Sequence, residues 1–476
     1  MSSPQSKIRN PIRLRRTKIP PRVSLISLGC PKNLVDSEKM LARIAERGAI
    51  ICERAEDADT VLVNTCGFIK DAKQESVDVI LEAGELKRQG RCRRIIVAGC
   101  LAQRYGDALK AEMPEIDAVI GVGRHEDVAA LCCGSDNGGK RGRVHFAGTA
   151  RRVLRTKCTR PLFPGECGPR LRLTPRHFAY LRVAEGCNNR CSYCIIPRIR
   201  GPFRSRPMGE LLREAEELAA DGVKELNVIA QDTTLYGADL YGQPRLHLLL
   251  RQISRLSFRW VRLLYTHPGH WYPELIDELA TNEVLCRYVD LPVQHISDRI
   301  LRRMGRRVTR KRVRDLIETL RNRIPGVALR TALIVGFPGE TRQDFQVLLG
   351  FIERVRFERL GAFAYSREED TRAARFVPQV AEKTKQRRLD AVMSLQQRIA
   401  FEQNAQWIGR EVEVLIDSRA DDGREWLGRT YADAPEVDGS VIVTGRGLSP
   451  GIFCRARITG TRGYDLVAEP VETGPR

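Results

Sequence analysis

Short apolar runs of strand length alternate with helical patterns along most of the chain, and three of the earliest runs are followed at once by a cysteine. Residues 23–28, 61–64, 94–98 and 118–121 read as strands. The stretches between them carry helical spacing: Met40, Leu41, Ile44 and Ala45 share one face, and Val77, Ile80 and Leu81 recur at i, i+3, i+4 within residues 75–86. Asn33 is placed to cap the first helix, with Asp36 favouring its positive end. A βαβ rhythm of this kind folds economically only as a parallel sheet with helices on both faces, so residues 23–135 read as a doubly wound α/β domain.

From about residue 132 to 175 the periodicity fades into sequence rich in Gly, Pro, Arg and Lys, and 136–175 reads as a linker. Alternation resumes with strand-like runs at 179–184, 225–230, 261–265, 288–291, 327–335 and 360–364. Six βα units over residues 176–408 predict a partial (βα)6 barrel. A charged helical stretch at 382–406, with Leu389, Val392 and Met393 on one face, closes that region. Beyond Gly409, Val412, Val414 and Ile416 alternate with exposed positions. Ile452, Cys454, Ala456 and Ile458 do the same against Phe453, Arg455 and Arg457, so 409–476 reads as a small antiparallel, OB-like β-barrel.

The chain has 476 residues and a formal charge of +21, which favours anionic partners without naming one. No apolar run approaches the 18 or so residues of a membrane span. Residues 1–22 hold seven Lys/Arg and no acid, punctuated by Pro4, Pro11, Pro20 and Pro21. They read as a disordered basic arm, with an organelle transit peptide as the competing reading. Fourteen cysteines without a secretory signal argue for metal or catalytic thiols in a reducing, cytoplasmic setting. The histidines show no metal spacing, and neither a Walker-type loop nor a G-x-S-x-G elbow is present.

Cys187, Cys191 and Cys194 form a C-x3-C-x2-C cluster directly after an expected strand. Three neighbouring thiolates can hold three irons of a cubane and leave the fourth open, whereas closed zinc sites need a fourth ligand that is not nearby in sequence. Cys30, Cys66 and Cys100 each follow an expected parallel strand, the edge where open α/β sheets assemble sites, so they should converge. Cys52, Cys92, Cys132, Cys133, Cys158, Cys167, Cys286 and Cys454 receive no role. Cys158 and Cys167 with His177 make only a weak zinc reading.

Two basic stretches stand out. Residues 299–323 hold eleven Lys/Arg and two acids, read as a solvated helix face. Arg198, Arg200, Arg204 and Arg206, just past the three-cysteine loop, are placed to meet an anionic partner or substrate. The turn at Gly336, Phe337, Pro338, Gly339 and Glu340 lies at a strand's carboxyl end, where glycine lets backbone approach a small ligand.

With these motifs the chain resembles the radical S-adenosylmethionine methylthiotransferases, from Val23 to about Glu472. The resemblance implies two 4Fe-4S clusters, an auxiliary one on Cys30, Cys66 and Cys100 and a radical-generating one on Cys187, Cys191 and Cys194. It places Tyr193 near the adenine of S-adenosylmethionine and the partly matched glycine-rich strand, around Ile334 and Gly336, beside that cofactor. It implies a C-terminal barrel of the TRAM type. No amino-acid catalytic base is assigned.

The run from Gly29 to Glu38, containing Pro31 and Lys32, is similar to the branch that modifies an aspartate of ribosomal protein S-twelve. The transfer-RNA branch has Gln-Met after the same cysteine. Residues 64–69, 194–197 and 432–439 point to the ribosomal branch too. Charge adds an independent argument: residues 409–476 carry 9 Lys/Arg and 12 Asp/Glu, net −3, while the rest of the chain carries +24. An acidic barrel suits a basic ribosomal protein better than RNA phosphates, while the basic remainder leaves room for ribosomal RNA contact.

The expected reaction is reductive cleavage of S-adenosylmethionine, hydrogen removal from the aspartate β-carbon, and transfer of a methylthio group, served by an external one-electron donor and a sulfur donor. A transfer-RNA adenosine methylthiotransferase is the alternative enzyme. A non-catalytic iron–sulfur protein that binds ribosome or RNA is the alternative of another class.

Overall fold

The computed structural model describes residues 19–133, 153–154, 170–421 and 423–471. Most of the basic arm and of the expected linker, with Cys158 and Cys167, lies outside the described residues. None of the described helices is long and apolar enough to cross a membrane.

Strands β1 (Arg22–Ser27), β2 (Ile50–Cys52), β3 (Thr60–Thr65), β4 (Arg94–Gly99) and β5 (Ala118–Ile120) form a parallel sheet in the order β2-β1-β3-β4-β5. Helices α1 (Pro31–Glu46), α2 (Lys70–Arg88), α3 (Cys100–Glu112) and α4 (His125–Cys133) cover it. Strand β3 is buried on both faces, as a doubly wound sheet demands. Val61 and Val63 pack with Ile80 and Leu101, while Leu62 packs with Met40, Ile44 and Val128. The three-residue β2 was too short to show in the sequence pattern. Helix α1 starts at Pro31, whose fixed φ suits the first helical position, so Asn33 lies inside the first turn and does not cap it.

Short strands β6 (Val153–Leu154) and β7 (Arg170–Leu171) pair antiparallel. The end of the expected linker is therefore built into the core: Arg170 is buried, pairs with Glu38 of α1 and with Glu214 (3.0 Å), and donates to Tyr180 O (2.6 Å). Glu38 is fully buried and also accepts from Leu173 N (2.7 Å).

Next come β8 (Phe178–Arg182), β9 (Ala184–Glu185), β10 (Arg204–Ser205), β11 (Glu225–Ile229), β12 (Trp260–Leu263), β13 (Tyr288–Asp290), β14 (Ala328–Val335) and β15 (Arg359–Ala364). Two parallel three-stranded sheets, β8-β11-β12 and β13-β14-β15, join where Val261 bridges Leu285. The result is a six-stranded partial barrel in chain order, with β8 and β15 as its two edge strands, each paired on one side. Its outer face carries the main apolar core.

Five strands, β16 (Glu411–Arg419), β17 (Trp426–Arg429), β18 (Val441–Val443), β19 (Phe453–Arg462) and β20 (Asp465–Pro470), close a barrel in the order β16-β17-β18-β20-β19. The barrel is antiparallel as expected except at the β18–β20 pairing, which is parallel because the β19–β20 hairpin returns β20 alongside β18.

This barrel docks into the concave side of the core, where Leu415, Ala432 and Ala434 pack with Phe178, Tyr180, Trp260 and Tyr288. Its acids grip the core: Glu413 pairs with Arg259 (2.6 Å), Asp417 with His177 (2.8 Å), and Asp433 with Arg359 (2.5 Å). Tyr180 donates to Glu436 (3.1 Å) and Tyr288 to Asp438 (2.6 Å). Glu413, Asp417, Asp433, Glu436 and Asp438 are therefore bonded to the core, so the barrel's net charge does not by itself point to a basic partner. Residues 299–323 likewise are more than a solvated face: Arg299 pairs with Asp344, and Arg303 donates to Pro338 O (3.2 Å) and Val377 O (3.1 Å).

Candidate active site: two cysteine triads at a domain seam

The carboxyl ends of β1, β3 and β4 bring Cys30, Cys66 and Cys100 together. These ends lie at the point where the strand order reverses, the usual crevice of such sheets. Asn33 ties the three loops: its Nδ2 donates to Leu28 O (2.9 Å) and Thr65 O (2.9 Å), and its Oδ1 lies 3.5 Å from Cys100 Sγ. Ser76 holds the second loop, accepting from Cys66 N and donating to Cys66 O (both 3.0 Å). Burial pushes the Cys100 thiol up to about 11 and raises that of Cys66. Cys30 is half-buried, and against the desolvation of its site the charges of Lys32 and Arg200 hold its thiol below the usual value.

The second triad sits after β9. Gly186 (φ +73°) turns the chain into it, and a Cβ there would stand 2.1 Å from Pro202 O, so only glycine fits. Cys187 N donates to Gly201 O (3.1 Å), Ser192 N to Met304 O (2.7 Å), and Ala373 N to Ser192 O (2.8 Å). Asp232, after β11, accepts from Asn189 Nδ2 (2.7 Å) and His270 Nδ1 (2.7 Å), clamping the loop from below. Arg306 is buried, with Nη1 4.0 Å from Cys191 Sγ. Burial pushes the Cys187 thiol up to about 11 and raises Cys194 further. Tyr193 and Ile334 pack into one cluster with Phe337 and Tyr365, Tyr193 meeting Phe337 edge to face at 6.4 Å.

The seam between the triads is charged and closed. Arg200, on α5 (Ile196–Arg200), is buried. It reaches Glu185 (3.1 Å), Asn33 Oδ1 (2.7 Å), Asp36 (3.1 Å) and Cys100 Sγ (3.5 Å). Arg182 joins the same two carboxylates, Asp36 (2.6 Å) and Glu185 (2.9 Å). Further out, Glu368 pairs with Lys73 (2.8 Å) and Arg104 (3.1 Å). Arg206 is also internal, bonded to Glu214 (2.7 Å), and Arg198 pairs with Asp370 (2.9 Å). Of these four arginines Arg200 and Arg206 are thus internal and Arg198 and Arg204 exposed, and Arg200 belongs to the site itself. Gly336 (φ +70°) packs against Lys385, since a Cβ there would meet Lys385 Cγ at 2.4 Å.

These residues fit iron–sulfur clusters better than single ions. Thiolates on one zinc, with bonds near 2.3 Å, stand roughly 3.8 Å apart. Among the described residues, the one set of three or more His, Cys, Asp or Glu ligand atoms all within 4.8 Å is Asp232, His267 and His270, and neither cysteine triad is that tight. Asp232 is already saturated by Asn189, His270 and Thr234 (2.5 Å). All six are free cysteines, and the raised affinity for protons of Cys66, Cys100, Cys187 and Cys194 leaves a metal as the natural means of ionising them.

The chain matches the Radical SAM superfamily over residues 181–352, the Uncharacterized protein family UPF0004 over 22–121 and the TRAM domain over 408–471. Its fold is similar to a radical S-adenosylmethionine methyltransferase, TsrM, of Kitasatospora setae. That likeness has a TM-score of 0.51 at 17% identity and covers 72% of each chain. Fold and matched domains define a radical S-adenosylmethionine enzyme. The chain is 45% identical over 454 residues to the ribosomal protein uS12 methylthiotransferase RimO of Desulfitobacterium hafniense, covering 95% of this chain and 99% of that one. It is 47% identical to the RimO of Pelotomaculum thermopropionicum, covering 94% and 99%. The chain belongs to the RimO family of methylthiotransferases.

Asn33, Arg200, Asp232 and Arg306 were not read as site residues from the sequence. Arg200 alone carried a signal, its place in the arginine run; the others act on cysteines or loops far away along the chain.

Proposed function

We propose that this chain transfers a methylthio group to the β-carbon of an aspartate of ribosomal protein uS12. The reading is supported most directly by Arg200, on the helix that follows the second cysteine loop, whose buried guanidinium reaches Asn33 and Cys100 of the first triad. Cys187, Cys191 and Cys194 would hold one 4Fe-4S cluster and Cys30, Cys66 and Cys100 the other, each leaving one iron position free of protein. When bound, the clusters and S-adenosylmethionine supply the electron, the hydrogen-abstracting radical and the methylthio group.

The chain's own residues orient and shield this chemistry. Tyr193 and Ile334, backed by Phe337, offer an apolar wall for the adenine. Asp232 and Arg306 fix the cysteine loop and set its local field. Arg182 and Arg200 neutralise Asp36 and Glu185, so the seam excludes water without stranding a charge. An external one-electron donor and a sulfur donor complete the reaction in the cytoplasm, with contact to ribosomal RNA available to the basic surface.

The test is an anaerobic competition between uS12 and unmodified transfer RNA, with reconstituted enzyme, reductant and S-adenosylmethionine, read by mass spectrometry. A methylthio adduct on a uS12 aspartate is expected; an adduct on adenosine alone overturns the reading.

A further inference from the structure

Lys32 stands in the first turn of α1, two residues beyond Cys30, and crosses the seam to the core. Its Nζ lies 3.1 Å from the centroid of the Tyr265 ring. The residue is only 7% exposed, yet among the described residues no carboxylate or other acceptor bonds its ammonium. Its strongest charge partner within the protein is Cys30, and the carboxylates in electrostatic reach are committed elsewhere. Glu185 is held by Arg182 and Arg200, and Asp290 by Arg330 (2.9 Å) and the Tyr265 N–H (2.8 Å). No carboxylate of the protein therefore bonds this ammonium, and a ligand that brings one would complete the pair.

Its position narrows that ligand. Tyr265 holds a left-handed backbone (φ +60°), an uncommon state for a bulky residue and one that collects at functional sites. The Tyr265 carbonyl accepts from Thr233 N (3.0 Å) and Oγ1 (3.1 Å), and the adjacent Asp232 holds Asn189 of the second cysteine loop. Nζ therefore lies over a ring whose backbone is bonded to Thr233, the neighbour of the aspartate that holds the second cysteine loop.

We propose that Lys32 recognises the side-chain carboxylate of the substrate aspartate. The proposal rests on the methylthiotransferase reading above. A carboxylate is one bond from the β-carbon, so anchoring it suspends the reacting carbon between the triads. A neutral asparagine of the same shape leaves the ammonium unpaired and is rejected.

The experiment compares uS12 with a variant carrying Asn in place of the modified Asp. Wild-type enzyme is expected to prefer the aspartate by about 100-fold in kcat/KM. Lys32→Gln should lose about 100-fold on aspartate, chiefly through KM, while asparagine changes less than about threefold, so the preference collapses; Lys32→Arg should restore most of it. Iron and sulfide content is measured on each protein. A Lys32→Gln enzyme that keeps the preference overturns the proposal. So does one that loses the iron of the first triad, which would assign the ammonium to holding Cys30. A wild-type enzyme that modifies no uS12 aspartate refutes the function instead, which keeps the two failures apart.

Discussion

Arg200→Met is expected to loosen the seam before it alters anything else. The guanidinium touches Glu185, Asp36, Asn33 and Cys100 with almost no exposure. Removing one partner of a buried ion pair costs about 3–5 kcal/mol. Arg182 stays on both carboxylates, at 2.6 and 2.9 Å, which places the loss at the lower end, about 3 kcal/mol. Asn33 Oδ1 loses its 2.7 Å donor and keeps only the thiol at 3.5 Å, adding about 1 kcal/mol. A loss of about 4 kcal/mol is close to 1,000-fold in an opening equilibrium. A chain with several domains need not unfold in one step, so the assay is native-state hydrogen exchange, read at the Asn33 and Leu34 amides that bond Cys30 O (2.8 and 3.1 Å). Exchange there should rise by two to three orders of magnitude. Protection within about threefold of wild type would refute the reasoning that Arg200 fastens the two domains.

Cys191→Ala should abolish 5′-deoxyadenosine formation, whereas Cys66→Ala should keep uncoupled cleavage and lose methylthio transfer; loss of both in a folded Cys66 variant defeats that division. Gly186→Ala must open its turn, because the new Cβ meets Pro202 O at 2.1 Å, so about half the iron should fail to load while circular dichroism stays unchanged. Glu340, driven up to about 7 by burial from 4.5, binds its proton more tightly folded than unfolded. Its contribution to stability is therefore full below pH 4.5 and lost as the pH rises to about 7. The urea midpoint of Glu340→Gln should lack that decline, and parallel pH profiles for variant and wild type would contradict it.

The longer strands and the gathering of Cys30, Cys66 and Cys100 at one sheet edge could be read from the chain because both signals are local. A buried parallel strand is a short apolar run, and a cysteine directly behind it marks the sheet's working edge. What escaped was long-range pairing. Arg200 meets Asn33 across 167 residues, and no spacing rule connects them. Asn33 looked like a cap because capping depends on residue type near a helix start, but Pro31 claimed the first helical position and freed the amide for three loops. The barrel's acids misled for a related reason: a charge count says how many carboxylates there are, not which way they face, and Glu436 and Asp438 face inward.

The pairing of Glu38 with Arg170 bears on the order in which the molecule is made. Arg170 leaves the ribosome 124 residues after α1 ends at Glu46, roughly 6–25 s later at ordinary synthesis rates. Until then the carboxylate destined for full burial has no cation, and α1 cannot seat against its eventual neighbours. The N-terminal sheet is thus a provisional structure during synthesis, consolidated by a residue that belongs to the next domain. Asn33 waits still longer for Arg200, so the finished pocket for the first triad exists only once the second cysteine loop has also been translated, and iron delivered to a nascent chain would find neither site ready.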